Sequence, residues 1–362
     1  MINLQEKKRV NFILPENWDV PIGGYKVVYD YANYLSTHGY KVAITFLDRT
    51  ILKPSKYAIV NLSKRLFRRV HPSREVTWAQ LDPSIQLFSE VSNPRKIIDS
   101  DFVFATAATT ANFVQSLTSE KGKKYYFIQN YEAEAYGRSQ KALEDTYKLG
   151  FNNIVISKSL EKIVSQVSGK NASFLPNFYD EKNFWLEESI EKRENVISLL
   201  SHFQLSKRTK FGLEIIAEVK KVIPDLQVEL FGASKYEEEL PNYVHFTYRA
   251  DVEQLRKEIY GQSKVYLMPT VLEGWGLTGM EAQASGAVLL ASRIDGITMY
   301  ATPSNSVLVE PDNKQAFVDA LIRLLQDDAE RIKLGKQALR DLKRFSLESS
   351  GKKLVEILRG DK

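Results

Sequence analysis

The sequence predicts an α/β chain made of two doubly wound, Rossmann-like domains, and three observations lead to that class. Short apolar runs alternate with segments of helical periodicity, the pattern of parallel sheets covered by helices. The alternation comes as two series, separated by a charged, nonperiodic stretch that follows Leu175-Pro176-Asn177-Phe178. The length, 362 residues, is that of two domains at ~150 residues each.

In the first series Val10–Leu14 reads as a strand, Tyr25–Ser36 as a helix stopped by Gly39, and Lys41–Phe46 as the next strand. Asp101–Ala105, Lys124–Gln129 and Asn153–Ser157 follow as strands, with helical stretches between and after them. Residues 50–98 carry little periodicity and read as loops. The second series runs through Asn195–Leu200, Phe211–Val222, Leu226–Phe231, Asp251–Tyr260, Val265–Met268, Thr278–Ala284 and Val288–Ala291, strand and helix alternating. Near the end Ala316, Phe317, Ala320, Leu321, Leu324 and Leu325 recur at helical spacing. The expected boundaries are an N-terminal domain over 1–176, a linker over 177–194, a second domain over 195–345, and a helix over 346–362 that packs back on the first domain.

Composition narrows the chemistry. A hydrophobic fraction of 43% and a charged fraction of 26% are those of an ordinary globular chain. With no cysteine, disulfide scaffolds, Cys-ligated metal centres and thiol nucleophiles are excluded, and four histidines are the only imidazoles. No apolar run approaches the ~18 residues that span a bilayer, and Val10–Pro15 is too short for a signal segment. A cytoplasmic protein is expected, at most peripheral on the inner face of a membrane. Residues 1–175 carry a net +8 and the remainder −3, so the first half is basic. Its densest stretch, Lys64-Arg65-Leu66-Phe67-Arg68-Arg69, mixes cations with apolar residues and suits an anionic membrane surface. No nucleic-acid motif accompanies the charge, so nucleic acid is not an expected partner.

In doubly wound sheets ligands bind beyond the carboxyl ends of the strands, which directs attention to the loops after Leu14, Gln129, Leu200 and Met268. The most informative is Pro269-Thr270-Val271-Leu272-Glu273-Gly274-Trp275-Gly276-Leu277-Thr278-Gly279-Met280-Glu281-Ala282. It leaves a strand and opens a helix, so backbone N–H groups of about Gly276 to Gly279, with the positive end of the helix dipole, suit a diphosphate. Gly274 and Gly276 allow close approach of backbone to ligand. Glu273 on the loop and Glu281 one turn inside the helix present two carboxylates, whose forked acceptors suit vicinal sugar hydroxyls.

The Glu273-to-Glu281 spacing resembles the E-x7-E motif of the retaining GT-B glycosyltransferases of family 4, and the similarity runs from Asn195 to the end of the chain. The resemblance implies a GT-B fold of two Rossmann-like domains facing across a cleft, an acceptor-side N-terminal domain and a nucleotide-sugar-binding C-terminal domain. It also implies that Glu273 contacts the transferred sugar, that Glu281 binds the nucleotide ribose, and that Gly274, Gly276, Leu277 and Thr278 hold the diphosphate. The family's G-R-x4-K-G element corresponds to Ser201-His202 through Lys207-Arg208: the lysine is kept, and His202 stands where the arginine would be. His202 would be charged only with a raised pKa; otherwise Arg208 supplies the second cation. Lys207 and Arg208 are therefore expected beside Glu273 as catalytic groups. Pro21-Ile22-Gly23-Gly24-Tyr25 resembles the family's first loop, near donor phosphate and acceptor, which places Gly23 and Gly24 in the site.

Where many members have a histidine aimed at the donor sugar, this chain has Tyr125-Tyr126-Phe127-Ile128-Gln129-Asn130-Tyr131-Glu132. The segment resembles a bacterial rhamnosyltransferase subgroup acting on surface glycans, which puts Gln129, Asn130 and Glu132 on the donor-sugar or acceptor side. The expected reaction is transfer of a hexosyl group, rhamnosyl in the narrower reading, from a nucleotide-diphosphate sugar to a carbohydrate or lipid-linked hydroxyl, without metal or other cofactor. No Asp-x-Asp element stands at a strand end, and cations with the helix N-terminus would replace a divalent ion. A nucleotide-sugar epimerase or phosphorylase lacks a supporting signal, and no G-x-G-x-x-G follows Leu14 as a dehydrogenase would require. The alternative from another class is a catalytically silent glycan-binding or partner subunit, against which both glutamates stand.

Overall fold

The computed structural model describes residues 7–18, 21–52, 76–132 and 139–360. The basic stretch with Lys64, Arg65, Arg68 and Arg69 lies outside the described residues. Two units divide the chain, Met1–Pro176 with Ser350–Lys362, and Asn177–Ser349.

Among its described residues the first unit has a parallel sheet in the order β3-β2-β1-β4-β5-β6-β7, formed by Arg9–Leu14, Lys41–Leu47, Gln86–Val91, Phe102–Ala105, Lys123–Ile128, Asn152–Val155 and Ser173–Phe174 for β1 to β7. β1 lies between β2 and β4, with Val10 opposite both Val42 and Phe102. A strand so placed is covered on both faces, which is why its residues from Val10 to Leu14 are all buried rather than alternating. The polar residue among these, Asn11, accepts a 3.0 Å hydrogen bond from Thr45 of β2, so no bare amide oxygen is buried there. Helix α1 (Gly23–Thr37) turns Val28, Tyr31, Ala32 and Leu35 to the sheet at helical spacing. Helices α2 (Ala108–Gln115), α3 (Gln140–Tyr147) and α4 (Lys158–Ser168) follow their strands.

The second unit repeats the order: β10-β9-β8-β11-β12-β13, with β8 to β13 at Val196–Leu200, Gln227–Gly232, Val244–Tyr248, Val265–Met268, Val288–Ser292 and Ser306–Val309. Its core packs Ile197, Leu199, Val228, Leu230 and Leu267 against Ile215, Ile216 and Val219 of α5 (Thr209–Val222) and Phe317, Leu321 and Leu324 of α7 (Lys314–Gln326). Between them in sequence lies α6 (Leu277–Ala284); α8 (Asp328–Asp341) and α9 (Leu347–Arg359) finish the chain. In both sheets the strand order reverses at the centre, between β1 and β4 and between β8 and β11. That switch point is where a crevice opens beyond the strand ends.

The structure departs from the sequence reading in several places. Residues 50–98 contain an edge strand, β3, which pairs with β2 through a register shift between Thr45 and Leu47 and holds Glu90 at φ 57°. Its half-exposed residues broke the apolar pattern. β10 and β13 are also edge strands; β10 has no continuous apolar run, and that of β13 is only Val307-Leu308-Val309. The helix expected over Asp251–Tyr260 is one α turn, Val252–Gln254, that widens into a π turn over Leu255–Tyr260.

The stretch 177–194 is not a linker but part of the second unit. Phe178, Phe184 and Ile190 are buried. Two buried guanidiniums fasten it: Arg193 donates to the carbonyls of Ser263 and Ser285, both at 2.7 Å, and Arg331 donates to that of Ile190 at 2.6 Å. Carbonyls gathered by arginine leave no periodic trace in sequence. Helix α9 belongs to the first unit from Ser350 onward, where the Ser350 hydroxyl donates to Pro176 O at 2.9 Å and Gly351 lies against the Tyr34 ring.

Candidate active site

The second unit assembles its site from the loops after β8 and β11. Thr209, the first residue of α5, donates its hydroxyl to Leu200 O (3.1 Å) and accepts the His202 N–H (3.0 Å), which ties the end of β8 to the start of the helix. Between them Leu205–Lys207 makes a single 3-10 turn, and Arg208 enters α5 in the left-handed region at φ 56°. The β11 loop is fastened to that turn. Ser206 O accepts from Val271 N and from the Thr270 hydroxyl, both at 2.9 Å. This stitching brings Lys207 Nζ to 2.5 Å from Glu273 Oε1, with the side chains only 20% and 10% exposed. An ion pair so screened from water is held more firmly than a surface pair.

α6 opens at Leu277 with Gly276 as its N-cap at φ 86°, and no described side chain caps it. The first N–H groups of a helix have no intrahelical acceptor and carry the positive end of its dipole. Helical spacing puts Leu277, Thr278 and Glu281 on one side, and these three are half-buried, whereas Gly279, Met280, Ala282 and Gln283 face the core. The half-buried Glu273 and Gly274 precede them. Thus Lys207, Glu273, Gly274, Leu277, Thr278 and Glu281 all lie on or beside the rim of the β8 and β11 loops.

His202 and Arg208 hold less expected positions. The His202 ring stacks on Phe203, and its Nδ1 accepts the Gln204 N–H at 3.1 Å, so that nitrogen carries no proton. Burial, then the charge of Lys207, hold its pKa below the ordinary 6.5. His202 is therefore neutral at neutral pH in the unliganded protein, not the raised, charged histidine that replacement of an arginine would need. Arg208 donates to Pro311 O (2.6 Å) and Asp312 Oδ1 (3.0 Å) and lies over the Phe211 ring at 3.7 Å. It fastens the 311–312 loop to the start of α5.

In the first unit, Gly23 and Gly24 open α1, whose N-terminus no described side chain caps. Gln129, at the end of β5, donates from Nε2 to Gly24 O at 2.9 Å. Asn130 accepts the Tyr131 N–H at 2.8 Å. Glu132 Oε2 accepts the N–H of Ala108, the first residue of α2, at 2.7 Å. Burial pushes the Glu132 carboxyl up to about 7, and the Ala108 hydrogen bond opposes the rise. Two of the three polar residues expected to face a sugar or acceptor thus hold the starts of neighbouring helices.

Sequence reasoning missed the groups beneath the β11 loop. Gly296 leaves no room for a Cβ, which would sit 2.5 Å from Glu273 O and 2.9 Å from the Gly274 carbonyl. Thr270 and Tyr300 bond the loop from below. Gly296 sits in a four-residue helix, Asp295–Thr298, and Tyr300 just after it, a segment too short to show a helical period. Among the described residues no group of three or more His, Asp or Glu is placed to hold a metal ion, and no helix is long and apolar enough to cross a membrane.

Comparison with known proteins follows this geometry. Residues 181–341 match the family model described as Glycosyl transferases group 1. The D-inositol 3-phosphate glycosyltransferase of Corynebacterium urealyticum is 39% identical over 102 residues, 28% of this chain and 24% of that protein. The chain therefore spans only about a quarter of that curated relative's length. Among solved structures, TarM of S. aureus in complex with UDP superposes over 97% of this chain and all of that one, with a TM-score of 0.73 at 12% identity. Anabaena HepE in complex with UDP-glucose covers 98% of this chain and 100% of its own, with a TM-score of 0.73 at 14% identity. At such identities the likeness speaks for the fold. The unit holding the Lys207–Glu273 pair and α6 is also the one that the family model covers: residues 181–341 match the group 1 glycosyltransferases, and the chain has the GT-B fold.

Proposed function

We propose that the protein is a retaining glycosyltransferase that moves a hexosyl group from a nucleotide-diphosphate sugar to a hydroxyl of a surface glycan or a lipid-linked precursor. The observation that carries this reading is the Lys207–Glu273 contact beside the uncapped start of α6. One side of the site offers a cation and free helix amides to a diphosphate; the other offers Glu273 to sugar hydroxyls and Glu281 to a ribose. In the unliganded protein Lys207 and Glu273 neutralise each other. A bound diphosphate competes for Lys207 and frees Glu273 for the hexose.

Positioning and charge stabilisation supply the catalysis in this scheme. Lys207 and the Leu277 and Thr278 amides stabilise charge on the departing diphosphate. The incoming hydroxyl attacks the face that the phosphate leaves, and a phosphate oxygen takes its proton. With His202 neutral and Arg208 engaged by Pro311 and Asp312, Lys207 is the cation of the reaction.

The finer reading makes the hexose a 6-deoxy sugar, rhamnose carried on dTDP, and brings the enzyme to anionic lipid through Lys64, Arg65, Arg68 and Arg69. It is supported by the Tyr125-to-Glu132 segment, which carries Gln129 and Asn130 where many members have a histidine. A hydrolysis screen without acceptor, using dTDP-rhamnose, UDP-glucose, UDP-N-acetylglucosamine and GDP-mannose, tests both levels. Turnover of no donor, with no binding of the corresponding diphosphates, sinks the transferase reading. Preference for UDP-glucose or GDP-mannose sinks the rhamnosyl one alone.

A further inference from the structure

The Gly276 carbonyl at the start of α6 accepts two hydrogen bonds, one from the Gly279 N–H at 2.9 Å and one from a buried hydroxyl. Tyr300 is 1% exposed, its ring stacks on Trp275, and its Oη donates to Gly276 O at 2.8 Å. Two glycines make room for that oxygen. A Cβ on Gly276 would lie 3.1 Å from Tyr300 Oη, and a Cβ on Gly279 would fall well inside contact distance of it. Burial drives the Tyr300 pKa far above 10, so the hydroxyl keeps its proton and remains a donor. From the carbonyl end, Asn305 Nδ2 donates to Tyr300 O at 3.1 Å and fixes the backbone from which the ring rises.

The peptide plane makes this a matter for the ligand. In a trans peptide the C=O of one residue and the N–H of the next point in opposite directions. Tyr300 holds Gly276 C=O toward the core, and so directs the Leu277 N–H away from it, out of the open end of α6. Gly276 sits at φ 86°, where its backbone has more freedom than any other residue would allow, and an added anchor matters most there. We propose that Tyr300 is a positioning residue for the diphosphate of the donor: its hydroxyl fixes the Gly276–Leu277 peptide so that the first amides of α6 meet the phosphates. The inference rests on the donor-site reading above and adds to it a residue that touches no substrate.

The test compares nucleoside diphosphates (UDP, dTDP and GDP) with their nucleosides by calorimetry and competition, on the wild type, Tyr300→Phe, Gly279→Ala and the double variant. Tyr300→Phe keeps the ring and its packing, and thermal melting checks that it stays folded. The bound diphosphate should lose about fivefold or more in affinity, the scale of one hydrogen bond, while nucleoside affinity stays within twofold. A purely structural role would weaken both alike. Gly279→Ala should cost more than Tyr300→Phe, and its cost should shrink in the Phe background, where the colliding oxygen is gone. Equal diphosphate affinity in wild type and Tyr300→Phe overturns the inference alone. If the wild type binds none of the three diphosphates, the donor reading fails and takes this inference with it.

Discussion

Lys207 and Glu273 set the electrostatics of the site at the scale of single residues, because each is the other's counter-ion until an anion arrives. Glu273→Ala should reduce turnover more than diphosphate affinity, since its proposed partner is the hexose and its removal leaves Lys207 free for phosphate. Glu281→Ala should instead weaken nucleoside diphosphate binding at least tenfold, as a charge-assisted bond of ~1.5–3 kcal/mol to ribose would require. Calorimetry on a folded variant decides, and unchanged affinity would remove the ribose role. His202 gives a second check. Since Lys207 is one of two causes that depress its pKa, the imidazole should titrate below 6.5 by NMR in the unliganded wild type. In Lys207→Ala the midpoint should move up, and a midpoint that stays in place would mean that burial alone sets it. The glutamate pair was readable because its chemistry sits at fixed spacing on a strand-loop-helix pattern. The contact of Glu273 with Lys207 was expected only through resemblance, for the bonds that create it reach the Ser206 carbonyl from the Thr270 hydroxyl, 64 residues away in sequence, and from the Val271 N–H.

At the scale of elements, the loop after β5 acts as a clasp between helix starts, with Gln129 on α1 and Glu132 on α2. The Glu132 carboxyl has a folded-state value of about 7 against 4.5 unfolded, so the fold favours its protonated form. The native state then binds more protons than the unfolded one across that window, and stability falls as pH rises through it. Wild type should lose ~3 kcal/mol relative to Glu132→Gln between pH 4.5 and 7.5 in denaturant titrations, with little difference below pH 4.5. Parallel curves for the two proteins would sink the assignment. Central strands such as β1 and β11 were legible because burial on both faces makes them continuous apolar runs. Edge strands β3 and β10, half-exposed and bent at Glu90 or ended at the left-handed Arg249, offered no such run. The π turn over Leu255–Tyr260 keeps a helical apolar spacing, and only Gly261, where a Cβ would collide with the Arg256 carbonyl, marks it.

At the scale of the whole molecule, the first unit is discontinuous in sequence: Met1–Pro176 is joined by Ser350–Lys362, and the intervening 177–349 form the second unit. Leu354 and Leu358 are buried, and burial of two leucine side chains contributes ~3 kcal/mol or more. A chain ending at Ser349 should therefore lose hydrogen-exchange protection in β1 and α1 while β8 and β11 keep theirs; uniform loss across both sheets would contradict the division. The same discontinuity orders events during synthesis, because domains fold largely as units as the chain emerges. Residues 177–349 leave the ribosome as one uninterrupted stretch and can close around β8 and β11 by themselves. The first unit, although translated earlier, must wait for the Ser350 hydrogen bond to Pro176 O and for the packing of Gly351 on the Tyr34 ring. The half made first is thus the half completed last, and for most of translation it exposes apolar surface that a chaperone would recognise.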